Sequence, residues 1–463
     1  MNSLLVAFLT TFLLFELVHG GQFVPLDDVK IDKLPGQPVE INVKQFSGYI
    51  DVDKDSGRSF FYYLVQPAKQ PSNDLPLTIW LTGGPGCSSV GDGFSSVGPF
   101  VTSANARGLQ PNPYSWIDVS NLLFIDSPTG SGWSYSNTSS DYKNGDYRTN
   151  KDLVTFMLKW YKKFPCFKSR DIILAGSSYA GHFVPNLANS LLDCKDFKFN
   201  VKGLTLGNPL LRRKLDELAT SEFLLSRKMI DSEIHNKIMQ ECNTIDEDNY
   251  GAKVAVNWTK NCSQLMDKAL SAAFNITDPR MAQGRLFDVL RKPCKGTLED
   301  LKLGKEVAKI SHGVDMCVNL RTDFYFNLPE VQKAFHGNRT NLPYPWKGCI
   351  MSNFAYTKTD IDFDMLPALK RLLQKSIPIT IFSGLEDGMV PAVGTQKHLK
   401  KLAEELGLKF TKKESLNGGC SRYSYGDFLN LFTVKGGSHH VTASRPSQAL
   451  YIFKNFVLKI GNA

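Results

Sequence analysis

Little in this chain points to a membrane, a metal or a nucleic acid. Beyond residue 15 no apolar stretch approaches the length needed to cross a bilayer. The cysteines are spread too widely for a zinc site, and no metal or other cofactor is called for. A net charge of +9 is distributed along the chain, with no basic stripe carrying interleaved aromatics, which argues against a nucleic-acid partner. The densest basic run, Lys397–Lys413, alternates with Leu and Glu as a solvated helix would. There are no internal repeats, no low-complexity tracts, and no retention signal in the closing Ile-Gly-Asn-Ala. What is present, 42% hydrophobic and 21% charged residues over 463 positions, suits a globular protein with one large core and room for an inserted lobe.

The first residues suggest a compartment. Leu4–Phe15 is apolar but short, and the small residues Gly20 and Gly21 follow, so residues 1–20 read as a secretory signal peptide. Nine cysteines suit an oxidising environment, and their odd number leaves at least one thiol free or paired outside the chain. Asn-x-Ser/Thr acceptors occur at Asn137, Asn257, Asn261, Asn275 and Asn338, four of them close enough together to suggest an exposed lobe. The expected location is the secretory pathway, extracellular or vacuolar, with no membrane attachment once the signal is removed. Oligomeric state is not readable.

Short apolar runs alternate with helical stretches. The segments 48–52 and 59–65 read as a hairpin turning at Asp55-Ser-Gly57, and 75–81, 121–126, 171–175, 377–382 and 430–434 read as buried strands. Lys151–Phe164 has helical periodicity. This predicts an α/β fold with a mostly parallel central sheet and helices on both faces. From 209 to 345 the pattern becomes charged and helix-like, with four of the nine cysteines. The expected division is a core of 21–208 and 346–463 with a helical insertion lobe at 209–345.

Three separated segments, each just after an expected strand, carry a nucleophile, an acid and a base in the order of an α/β-hydrolase. In Gly176-Ser-Ser-Tyr-Ala-Gly181, small residues flank Ser178 as a strained strand-to-helix turn requires. Gly384-Leu-Glu-Asp-Gly388 offers Asp387 as the acid, with Glu386 as competitor. Gly436-Gly-Ser-His-His440 offers His439, preferred over His440 because small residues precede it. His182 and His312 read as structural. The glycine-rich run after Trp80-Leu-Thr leaves backbone N–H groups open, and those of Gly84 and Tyr179 are the candidate oxyanion donors.

These motifs, WLTGGPGCSS, IDSPTGSGWSYS, GSSYAGHFVP, GNPLL, FNLPEVQKAFH, FSGLEDGMVP and GGSHHVTASRPSQAL, resemble the serine carboxypeptidase family, especially its plant serine carboxypeptidase-like members, from about residue 34 to the C-terminus. The resemblance implies the α/β-hydrolase fold, the triad Ser178, Asp387 and His439, and disulfides Cys87–Cys349, Cys242–Cys262 and Cys294–Cys317, leaving Cys166, Cys194 and Cys420 over. Family peptidases grip a substrate's terminal carboxylate with an Asn in WLNGGPG, a Glu in GESYAG and a second Glu before the GPF stretch. Here those positions are Thr82, Ser177 and Ser96, beside Gly83. The first acid of the family's GDxD is Leu385. Thr at the first position also occurs in the family's plant acyltransferases, which usually carry Asp, not Ser, before the nucleophile.

A site built to hydrogen-bond one group rejects ligands lacking it by about 10⁴–10⁵, so losing the clamp should remove most exopeptidase selectivity. The function expected is acyl transfer or ester hydrolysis through an acyl-serine, on a small-molecule ester. The alternatives are a carboxypeptidase of altered specificity acting on peptides, and an idle secreted binding protein of the same fold.

Overall fold

The computed structural model describes residues 29–68, 75–242, 258–350, 354–416 and 418–461. The expected signal peptide and Asn257 lie outside the described residues.

Eleven strands form one sheet. In chain order they are β1 (Lys30–Ile31), β2 (Val43–Asp53), β3 (Arg58–Pro67), β4 (Leu77–Leu81), β5 (Asn121–Ile125), β6 (Ile172–Ser177), β7 (Val201–Gly207), β8 (Ile379–Gly384), β9 (Phe410–Leu416), β10 (Cys420–Tyr425) and β11 (Leu429–Val434). Their order across the sheet is β1-β2-β3-β5-β4-β6-β7-β8-β11-β10-β9. From β5 to β11 every neighbouring pair is parallel, while both margins are antiparallel. This is the α/β-hydrolase fold.

The parallel strands are apolar almost throughout because each is buried on both faces. Alternate residues feed two cores. Leu77, Ile79 and Leu81 of β4, with Ile172 and Leu174 of β6, point to one. Trp80, Ile173 and Ala175 point to the other. The first core is covered by the helices Asp146–Lys163, Ala180–Leu192, Leu366–Gln374 and Ala392–Glu405. The second is covered by Pro446–Gly461, whose Phe453 stacks on Trp116 with ring centroids 3.8 Å apart. Pro185 lies inside the helix Ala180–Leu192 without ending it.

The margins hold the departures from expectation. The run Lys397–Lys413 is helical only to Glu405; Gly407, at φ 64, turns the chain, and β9 follows as the outermost strand. A solvated edge strand is as polar as a solvated helix face, and its Lys412 and Lys413 discourage further strand pairing.

The described residues of 209–345 do not pack as one unit. Helices Arg213–Ser226, Ser232–Cys242, Lys260–Phe274 and Pro279–Gly284 share a small core around Leu218, Phe223, Leu224, Ile238 and Leu270, clasped by Cys242–Cys262. Beyond Cys294–Cys317, the helices Val318–Phe326 and Pro329–Ala334 send Tyr325, Phe326 and Val331 into the second sheet core instead. Burying these large side chains against the sheet removes their apolar surface from water. Cys87–Cys349 ties the glycine-rich loop to the end of this segment, where Ser88 N–H donates to the Gly348 carbonyl at 2.7 Å. Among the described residues no helix is long and apolar enough to cross a membrane.

Candidate active site

The C-terminal ends of β6, β8 and β11 carry the three candidate groups. Ser178 follows β6 directly with φ 62, a left-handed conformation that costs a non-glycine residue about 1–3 kcal/mol and persists only where its surroundings enforce it. They do so here: its N–H donates to the Gly207 carbonyl at 2.9 Å, and its own carbonyl accepts from Leu210 and Gly181 at 2.9 Å each. The turn is tight enough that a Cβ at Gly176 would lie 2.2 Å from the Leu81 carbonyl oxygen.

Asp387 is fully buried and takes four hydrogen bonds. Its Oδ1 accepts from the N–H groups of Met389 (2.8 Å) and Val390 (3.2 Å); its Oδ2 accepts from Asn208 Nδ2 (2.6 Å) and bonds His439 Nδ1 (2.8 Å). Glu386 faces away, pairing with Arg227 at 2.8 Å. The backbone thus separates the two adjacent acids. His439 is 1% exposed, its N–H donates to the Phe287 carbonyl at 2.8 Å, and the Phe287 ring stands edge-on to it. Its Nε2 has no hydrogen-bond partner among the described residues, so the bond to Ser178 is not made. His440 is half-buried beside it; burial, then the neighbouring His439, holds its imidazole below the usual range.

The glycine-rich loop lies on the nucleophile turn. A Cβ at Gly83 would be 2.4 Å from the Tyr179 nitrogen and 2.8 Å from Ser178 Cβ, an approach only glycine permits. Gly84 follows at φ 108. The Tyr179 ring stacks on that of His182, with centroids 4.4 Å apart. Asp146 joins this pair: its Oδ1 accepts from the Tyr179 hydroxyl (3.1 Å) and the Tyr356 hydroxyl (2.5 Å), and its Oδ2 meets His182 Nδ1 at 2.9 Å. His312 lies away from this site, its ring half of an exposed contact with Ser311.

Thr82 and Ser96 converge on Asp92, a residue that no motif in the sequence singles out. Thr82 Oγ1 donates to Asp92 Oδ2 at 2.8 Å, and Ser96 Oγ donates to Asp92 Oδ1 at 3.2 Å and to the Asp92 carbonyl at 2.7 Å. Trp80 Nε1 also donates to Asp92 Oδ2, at 2.8 Å. Ser177 is 4% exposed and its hydroxyl has no partner among the described residues. The available signal for Asp92 was its position four residues before Ser96, one helical turn away, in a stretch otherwise small or apolar. Asn208 was visible only as part of GNPLL.

The three disulfides join the pairs expected from the resemblance, and Cys166, Cys194 and Cys420 are free. Asn137, Asn261 and Asn275 are exposed. Asn338 is half-buried, with its amide donating to Gln332 and its carbonyl oxygen accepting from Leu342 N–H.

A family model described as serine carboxypeptidase matches residues 35–459. Serine carboxypeptidase-like 44 of Arabidopsis thaliana is 44% identical over 449 residues, covering 94% of this chain and 90% of that protein. Serine carboxypeptidase-like 42 of the same plant is 43% identical over 465 residues, covering 98% and 95%. Among solved structures, Kex1(delta)p, a prohormone-processing carboxypeptidase from Saccharomyces cerevisiae, superposes with a TM-score of 0.73 at 23% identity, covering 95% of this chain and 97% of that one.

Proposed function

Because the chain belongs to the serine carboxypeptidase family, we propose that it transfers acyl groups through an acyl-Ser178 intermediate and no longer grips a terminal carboxylate. The observation that carries this reading is the partnership of Thr82 and Ser96 with Asp92. A peptide tail needs a donor or a cation at these positions; both hydroxyls are instead committed to a carboxylate, which repels a second one.

The chemistry follows from the strand ends. Ser178 Oγ attacks the ester carbonyl as its proton passes to His439 Nε2. Asp387 holds the ring through Nδ1 and stabilises the imidazolium. The N–H groups of Gly84 and Tyr179 receive the oxyanion, each worth about 3–4 kcal/mol in the transition state. Collapse expels the alcohol, which takes the proton from His439. An acceptor alcohol or water then repeats the sequence in reverse, its proton going to His439 and on to Ser178 Oγ as the acyl–serine bond breaks. The acid at Asp387 and the base at His439 serve both halves.

Three disulfides and exposed Asn-x-Ser/Thr sites support the secretory pathway, outside the cell or in the vacuole, as the place of action. The test is direct: give the purified protein a blocked dipeptide and, separately, an activated ester with an acceptor alcohol. Acyl transfer or ester cleavage that disappears in Ser178→Ala supports the reading. Efficient release of C-terminal residues from the dipeptide overturns it in favour of a carboxypeptidase.

A further inference from the structure

We infer that Asp92 selects by charge the alcohol portion bound beside Ser178, favouring one that carries a positive charge and rejecting an anion. This rests on the acyl-transfer reading and adds the chemical class of the alcohol.

The placement comes first. Thr82 holds the Asp92 carboxylate, and the next residue, Gly83, is pressed against the nucleophile turn. The carboxylate is therefore tied to the loop that lies on the nucleophile turn. Thr82 and Ser96 are 5% and 4% exposed, whereas Asp92 is only half-buried. Of the three, Asp92 is the residue with the most surface left to solvent.

The charge is fixed in place without being cancelled. Among the described residues, the side chains that donate to Asp92, those of Trp80, Thr82 and Ser96, are neutral. They use three of about four acceptor positions that a carboxylate offers. Such a group has little left for a ligand that needs several hydrogen bonds, but its full attraction for a cation remains. His440, which feels the Asp92 charge, is kept below its usual range by burial and by His439, which disfavours an opposing positive charge there. Ser177 Oγ, buried and unpartnered, supplies a hydroxyl for the ester oxygen or an uncharged part of the same ligand.

A purely structural role is the competing account, since Asp92 also anchors the Trp80 indole. Asp92→Asn separates the two. The amide keeps the shape and one acceptor oxygen for Trp80 or Thr82 while removing the charge.

The experiment uses the full protein and three benzoate esters of matched size, made from 2-trimethylammonioethanol, 3,3-dimethylbutanol and 4-hydroxybutanoate. kcat/KM for benzoate release is compared between wild type and Asp92→Asn. The expected order in wild type is cation, neutral, anion, with the extremes separated by about 10- to 100-fold, as one unit charge near a partly solvated carboxylate gives. In Asp92→Asn the spread falls to about twofold. An anion preferred by the wild type, or a spread the substitution leaves intact, overturns the inference. Because this is read on hydrolysis, benzoate release without transfer to any added alcohol would remove the transferase reading alone and leave the charge rule standing. Should none of the esters turn over, the three free alcohols are compared as protectors of Ser178 against a fluorophosphonate label. Equal protection overturns the charge rule, and no labelling at all overturns both.

Discussion

Asn208 Nδ2 donates to Asp387 Oδ2 at 2.6 Å, the same oxygen that meets His439 Nδ1. Asn208 follows β7, the strand between those that carry Ser178 and Asp387, and its side-chain Oδ1 accepts from Gly384 N–H at 3.3 Å. One side chain thus fixes both the carboxylate and the strand end beneath it. Removing the amide leaves Asp387 Oδ2 with His439 alone, while Oδ1 stays on the Met389 and Val390 N–H groups, so the oxygen that orients the imidazole loses its second anchor. Asn208→Ala is expected to lower kcat by about 10- to 100-fold, the equivalent of one charge-assisted hydrogen bond, with KM little changed. Steady-state kinetics on an activated ester will check this, and a change confined to KM would contradict it.

The adjacent acids give a sharper comparison. Asp387→Asn should cost about 10⁴ in kcat, because the amide presents the wrong group to His439 Nδ1 and disfavours the productive tautomer. Glu386→Gln should change kcat by less than about threefold: its buried carboxylate pairs with the exposed Arg227 and makes no bond to His439. Equal losses from the two substitutions would mean that the loop as a whole, not one carboxylate, supports the base.

How much of this was legible in the sequence depended on how local the signal was. The parallel strands declared themselves because burial on both faces leaves continuous apolar runs such as Ile172–Ala175 and Ile379–Phe382. Ser178, Asp387 and His439 follow such runs within a few residues, so strand and chemistry were read together. The β9–β10 hairpin was hidden, since exposed Thr411, Lys412 and Lys413 carry no period that tells strand from helix. The packing of 318–335 with the sheet was also hidden: which core a helix joins is decided by partners hundreds of residues away, as where Tyr325 reaches the Pro35 carbonyl at 2.8 Å. Asp92 escaped for a related reason. Its meaning lies in the hydroxyls of Thr82 and Ser96, which the motifs offer to a substrate and the fold turns onto the Asp92 carboxylate.

Gly83 is the position where the oxyanion loop can be broken with one methyl group. A Cβ there would stand 2.4 Å from the Tyr179 nitrogen, a backbone atom that cannot swing aside. Gly83→Ala should therefore push the loop off the nucleophile turn and lower kcat by about 10²–10³, the scale of losing one oxyanion donor. Labelling of Ser178 by a fluorophosphonate should slow in parallel. Unchanged labelling with a folded circular-dichroism spectrum would show that the loop does not contribute there.

Asp126 makes a prediction about pH that is independent of catalysis. It follows β5, is completely buried, and accepts from Ser88 Oγ (2.7 Å), Val90 N–H (3.1 Å) and Trp133 N–H (3.3 Å). Burial outweighs these donors and pushes its carboxyl up to about 7. In the unfolded chain the same group titrates near 3.9. Between about pH 4 and pH 7 the folded protein therefore holds a proton that the unfolded chain has lost. The sign follows: this group's contribution to stability is fully present below about pH 4 and declines by roughly 1.4 kcal/mol per unit as the pH rises toward 7. Asn cannot titrate, so Asp126→Asn should narrow the difference in urea midpoint between about pH 5 and about pH 7, measured with the disulfides intact. If the variant keeps the full wild-type difference, the proton on Asp126 is not its source, and the burial that holds that proton is relieved by a partner other than Ser88, Val90 and Trp133.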